Sequence, residues 1–244
     1  MKESMHFIDE FLNIFQGMST VPYNGNGYCL KGKFSFTAQY ARYPCIDESY
    51  ELQIIVPYDF PKKNLLITEI GGRIPRSEDF HINGDNTLCL GSNFRMALIL
   101  SDQISIVNFA EKLIVPYLYA VSLKLKYGYN FVFGELAHGV KGLYQDYLSI
   151  FDLKDQGQLD QAFKCITAKK RVANKKICPC GCGRRLSKCT YRCKINELRG
   201  LLSAKKLKEI YLDYKINHLG FRNIDRNENR GGHAFNRSHR FRCI

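Results

Sequence analysis

The sequence has no run of about 20 apolar residues, the length a membrane span requires. Its opening, Met1-Lys2-Glu3-Ser4-Met5-His6, carries an acid and no signal-peptide apolar core. Both absences predict a soluble, cytosolic protein without a membrane partner. No Gly-rich loop of the P-loop or Rossmann type is present, so an activation step that consumes a nucleotide would come from another protein. No segment repeats. Tryptophan is absent, and the aromatic 13 % consists of 16 Phe and 15 Tyr. With 45 % hydrophobic residues in 244, the chain can build one large core or two small ones.

Acid is scarce in one part of the chain. Residues 1–150 carry 13 Lys+Arg against 15 Asp+Glu, and residues 151–244 carry 23 against 8. The first stretch is near neutral and the second strongly basic. Such a basic region favours an acidic partner, either an acidic protein surface or nucleic acid.

The spacing of apolar residues predicts a helix over 6–17. Period-two alternation predicts strands over 28–43, 50–56 and 64–70, joined as an antiparallel meander. A Pro-rich turn, Pro57-Tyr58-Asp59-Phe60-Pro61, separates the last two. Helices are expected over 104–127, kinked or split by Pro116, over 140–151, over 159–170 and over 195–214. A polar hinge covers 152–158, and the Arg-, Asn-, Gly- and His-rich stretch 223–242 reads as disordered or ordered by a partner.

The most informative stretch is His81-Ile82-Asn83-Gly84-Asp85-Asn86-Thr87-Leu88-Cys89-Leu90. A run of Asn, Gly and Asp forms a surface turn. A cysteine at its edge can be reached by a partner and can serve as a nucleophile, with His81 and Asn83 near enough in sequence to orient it or steady an oxyanion. A half-buried cysteine that ends a strand is the plainer alternative. Further on, Glu135 and His138 are spaced as helix neighbours, which fits capping or packing more readily than catalysis.

Ten cysteines are present, and five of them crowd into 178–193. In a chain without a secretory signal such density reads as metal ligands before disulfides. Zinc takes about four thiolate or imidazole ligands in a tetrahedron. Two closely spaced cysteines on a Gly-containing knuckle, followed by others about ten residues on, supply that geometry.

The order of helix, meander, Pro-rich turn, His/Asn loop, cysteine and helices resembles the ubiquitin-conjugating-enzyme (UBC-like) fold over roughly residues 5–150. Pro57-Tyr58-Asp59-Phe60-Pro61 matches the family's Pro turn, His81-Ile82-Asn83 its flap, and Asn86-Thr87-Leu88-Cys89-Leu90 its thiol step. Ile82 stands where the family has Pro, and the tryptophan that usually follows the thiol is missing. These departures resemble a divergent prokaryotic member, of the kind found in bacterial antiphage operons. The stretch Cys178 to Cys189 is similar to the SEC-C zinc motif, with Cys182 in place of a Ser and Thr190 where a ligand belongs; the resemblance implies Cys178, Cys180 and Cys189 as ligands, with Cys193 as the fourth and Cys182 as the alternative to it. The resemblance implies an α+β protein. Residues 1–151 would form a UBC-like domain, an antiparallel meander sheet flanked by helices. Residues 152–244 would form a basic region with a small zinc module (about 175–195), helices and a basic tail.

The function implied is an acyltransferase that carries a thioester on Cys89, helped by His81 and Asn83. It would pass the C-terminus of a ubiquitin-like protein, or of a nucleotidyltransferase-type partner enzyme, to an amine. Two other classes fit the residues: a non-catalytic adaptor that binds protein or nucleic acid, and a cysteine hydrolase pairing Cys89 with His81 or His138.

Overall fold

The computed structural model describes residues 2–101, 104–133, 139–224 and 242–243. They form two compact units. The first takes Met1–Leu90, Gln103–Glu135 and Asn236–Ile244, and the second takes Gly91–Asp102 and Leu136–Phe235.

In the first unit, α1 (Lys2–Ile14) precedes an antiparallel meander of β1 (Met18–Val21), β2 (Gly27–Gln39), β3 (Ile46–Pro57) and β4 (Leu66–Glu69). The long β2–β3 pair sets the register, with Phe34 opposite Tyr50 and Leu30 opposite Ile54. Alternation then turns Leu30, Phe34, Phe36, Tyr50, Leu52 and Ile54 to one face, where all are buried. Helix α1 buries Ile8 and Phe11, and Phe15 just past its end stacks its ring on Phe34 at 4.3 Å. Burying each such side chain contributes about 1.5–3 kcal/mol. A two-residue strand, β5 (Arg242–Cys243), pairs with β2 at Ala38 and Gln39.

The apolar stretch after residue 104 forms α3 (Ile106–Phe109), one π-helical turn (Ala110–Ile114) and α4 (Val115–Tyr127). Pro116 was expected to kink or split this helix. It sits in the first turn of α4, and the π turn just before it, where Val115 N–H reaches back to the Ala110 carbonyl, accommodates the missing N–H without ending the helical run. Gly128 closes α4 in the left-handed conformation. By length and composition Ile106–Tyr127 is the one helix among the described residues that could cross a membrane, but its apolar window is 83 % buried within the protein. It is a core helix by that measure. Its polar side chains bond inward: Tyr50 Oη and Ser122 Oγ lie 2.7 Å apart, and Tyr119 Oη donates to the Pro44 carbonyl at 2.9 Å.

The second unit is helical. It gathers α2 (Asn93–Leu100), α5 (Gly139–Phe151), α6 (Gln156–Ile166), α7 (Lys170–Ala173), α8 (Arg192–Leu201) and α9 (Ala204–Ile224). Its core is aromatic. Phe163 of α6 packs against Phe151 at 5.1 Å, Tyr147 at 5.5 Å and Tyr214 at 4.5 Å, with Phe94 of α2 on the same cluster. Arg199 of α8 caps the end of α6, donating to the carbonyls of Cys165, Ile166 and Ala168. The expected division between 151 and 152 therefore runs through this unit. Helix α5 belongs with α6, because Tyr147 and Phe151 bury their rings against Phe163.

Candidate functional site

Two constellations stand out, one in each unit. The first is a short hairpin after β4. Cys89 N–H donates to the His81 carbonyl at 2.8 Å, Ile82 bridges Leu88, and Asn83 N–H donates to the Thr87 carbonyl at 2.8 Å. Asn86 N–H returns to the Asn83 carbonyl, closing the turn. Leu88 is buried and its N–H donates to the Ile67 carbonyl of β4. The hairpin thus hangs on the sheet by Leu88 of its returning arm, and its ends come together as a pair: His81 opposite Cys89.

Residues eight apart in sequence become neighbours because the turn chemistry reverses the chain between them. Asn86, at φ 66°, takes the left-handed conformation that Asn tolerates. Asp85 accepts from Thr87 N–H and Oγ1, and these bonds hold its carboxyl below the usual range. His81 also sits at positive φ, 54°, a conformation held by its surroundings. Its ring meets Phe131 edge-on at 4.5 Å, and the preceding carbonyl, that of Phe80, accepts from Tyr117 Oη at 2.7 Å.

Cys89 is half-buried, as is His81, while Asn83 is exposed. The side-chain amide of Asn83 donates to Thr87 Oγ1 at 2.9 Å. Tyr117 of α4 is the group that spacing along the chain did not reveal. Burial is the main cause that lifts its phenol above the ordinary tyrosine range, and charge on Cys89 adds to that. The two side chains are within electrostatic reach of one another. Nothing local in the sequence marks Tyr117, one of 15 tyrosines on a helix that is otherwise core. Glu135 and His138 lie outside the described residues.

The second constellation is the cysteine cluster. Cys178, Cys180, Cys182 and Cys189 each offer a sulfur, and the four sulfurs lie within 4.8 Å of one another. Cys178 to Cys180 is 3.3 Å and Cys180 to Cys189 is 3.6 Å. A disulfide is about 2.05 Å long, so these are separate thiols. A tetrahedral zinc–thiolate site with bonds of about 2.3 Å has sulfur–sulfur edges of about 3.8 Å. The cluster fits a metal ion of that kind.

Gly181 and Gly183, at φ 80° and 72°, supply the left-handed turns that aim three sulfurs inward from one short loop. The loop is stitched to its return: Cys178 N–H donates to Arg184 O at 2.8 Å, Leu186 N–H to Lys176 O at 2.9 Å, and Ser187 N–H to Asn174 O at 3.2 Å. Burial pushes the Cys178 and Cys180 thiols up. The Arg184 backbone N–H holds Cys182 down, to about 6, and the Tyr191 N–H lowers Cys189. Backbone N–H donation to sulfur is the outer-shell support that metal thiolates use.

The fourth member is Cys182, the alternative in the sequence reading. Cys193 opens α8, is exposed and stands outside the group. A helix starting at Arg192 carries that side chain off the knuckle.

No protein-family description matches this chain, and comparison with curated proteins and with solved structures gives no match.

Proposed function

We propose that the chain is a ubiquitin-conjugating-enzyme-like thioester carrier built on a UBC-like first unit, with a zinc ion held by the four-cysteine cluster. One observation carries the reading: the hairpin pairs Cys89 with His81 by backbone, half-buried, with Asn83 at its exposed turn. The order of α1, a four-stranded antiparallel meander, this hairpin and then helices supports the fold assignment.

In the proposed reaction the Cys89 thiolate attacks the carbonyl of a partner's C-terminal thioester and expels the donor thiolate. An amine then attacks the Cys89 thioester. An amide forms, the C–S bond breaks, and the amine's proton leaves to a base, for which His81 is the nearest candidate by chain pairing. Asn83 would steady the oxyanion once its amide turns from Thr87. The activating step belongs to another protein, and operation in bacterial antiviral defence is part of the same reading. Zinc, when bound, supplies structure and no chemistry, because all four positions are protein ligands.

The test uses a glycine-terminated peptide thioester as acyl donor. Intact mass should rise by one acyl group, fall back on thiol reductant, and map to Cys89. Cys89→Ser should trap a reductant-resistant ester, and Cys89→Ala should stay unlabelled. Labelling of Cys89→Ala equal to wild type rules the carrier out.

A second reading, the non-catalytic adaptor, draws on a specific contact. The Asn83 amide is already committed to Thr87, which leaves the turn self-satisfied. Under that reading the wild-type chain takes no acyl group at all.

A further inference from the structure

The segment from Gln161 to Asn196 holds 11 Lys and Arg and no Asp or Glu. It comprises most of α6, then α7, the cysteine knuckle and the start of α8. Lys164, Lys169, Lys170, Arg171, Lys175, Arg184, Arg185, Lys188 and Arg192 are all exposed. Lys194 reaches Glu197 at 3.9 Å, just past the segment's end. Among the described residues these nine exposed cations form no ion pair with Asp or Glu, and the Arg184 guanidinium bonds the Cys182 sulfur.

Backbone pairing concentrates part of this charge. The bonds from Leu186 to Lys176, Ser187 to Asn174 and Cys178 to Arg184, with the Ile177–Arg185 bridge, lay 174–178 beside 184–187. Lys175, Arg184, Arg185 and Lys188 thereby become neighbours. A cationic cluster of this density without carboxylate partners raises the local positive potential.

We propose that this knuckle surface binds duplex nucleic acid through its phosphates, without reading sequence. Charge complementarity selects the polyanion. The shortage of rings selects the duplex. Single strands are held on aromatic platforms, and the segment's two aromatic residues are unsuited to that. Phe163 is buried in the helical core, and half-buried Tyr191 donates its hydroxyl to the Phe151 carbonyl at 2.6 Å. The exposed guanidinium of Arg185 favours bidentate phosphate contacts. The site is independent of Cys89 and of the carrier reading.

The experiment titrates nuclease-treated full-length protein with a fluorescent mixed-sequence 20-base-pair DNA duplex over a range of salt. With about six phosphates neutralised, affinity should fall about a thousandfold from 50 to 200 mM salt. The quadruple variant Lys169→Gln, Lys170→Gln, Arg171→Gln, Lys175→Gln should lower the log–log salt slope by about three to four. These four positions carry no sulfur ligand, and the variant's metal content and circular dichroism verify its fold. A second variant, Lys169→Arg, Lys170→Arg, Lys175→Arg, should keep wild-type affinity and slope. The matching single strand should bind at least about tenfold more weakly, in line with the missing stacking platform. Equal binding of duplex by the quadruple variant overturns the proposal. So does polyglutamate binding as tightly as duplex, which would make an acidic protein the partner.

Discussion

Asp146 of α5 is 1 % exposed, and its carboxylate is served from one side only. Oδ1 accepts from Arg95 Nε at 2.6 Å and from Arg95 Nη2, while Oδ2 has no partner among the described residues. Arg95 lies on α2, so this pair ties an early segment of the chain into the helical unit. Arg95→Ala strands a buried charge. Removing one partner of a fully buried pair costs about 3–5 kcal/mol. The Arg95 side chain is 39 % exposed, so water reaches its end of the pair and reduces that figure to about 2–3 kcal/mol. For a unit of this size the melting temperature should drop by about 8–12 °C. With no tryptophan in the chain, the transition is best followed by near-ultraviolet circular dichroism of the buried tyrosines. Two units need not melt together, so hydrogen exchange at α5 amides assigns the loss to the helical one. Arg95→Met combined with Asp146→Asn removes both charges and should recover to within about 1 kcal/mol of wild type. A drop of less than about 3 °C in Arg95→Ala would falsify the reasoning, because it would mean the buried Asp146 side chain does not need Arg95 as its partner.

Purified protein should contain about one zinc per chain. Cys178→Ser should lose it and expose residues 174–193 to protease while the β-sheet unit stays folded. Tyr117→Phe removes the donor to the Phe80 carbonyl and should cost about 1 kcal/mol. It should also speed hydrogen exchange at the Cys89 amide, with unchanged exchange counting against the hairpin's dependence on Tyr117. Glu48 is held below the usual carboxylate range first by Lys126 and then by Arg73. A lowered value means stability that is full above the unfolded value near 4.3 and lost as pH falls through the folded one. Acid titration of Glu48→Gln should therefore show a shallower loss of β-sheet signal between about pH 4.5 and 3, and a curve identical to wild type would exclude this contribution.

The meander was legible because period-two alternation over 28–43 and 50–56 survives in β2 and β3, where one face is core and the other polar. Strand β1 has only four residues, Met18–Val21, too few to show a period. Helix α2 was missed for a related reason. Asn93–Leu100 is an apolar run bracketed by Ser92 and Ser101, and length cannot separate such a run from a strand. The expected helix over 195–214 is broken between Leu201 and Ala204, where Ser203 starts a new helix by accepting from Lys206 N–H. The cysteine cluster was readable from density and Gly spacing, but the choice of Cys182 over Cys193 was not. Local spacing allows both, and only the onset of α8 at Arg192 excludes the latter.

The interleaving of the two units has a consequence for biosynthesis. A ribosome emits residues in order at about 5–20 per second. Helix α2 appears before any of its packing partners, because Tyr147, Phe151 and Phe163 come tens of residues later. Its apolar side chains wait for seconds with nothing to cover them. The sheet waits longer, since β5, which pairs with β2, is made last of all the described elements. Neither unit can finish while the chain is still being made up to that point. Nascent chains stalled before about residue 150 should therefore engage cellular chaperones more than chains stalled after residue 220.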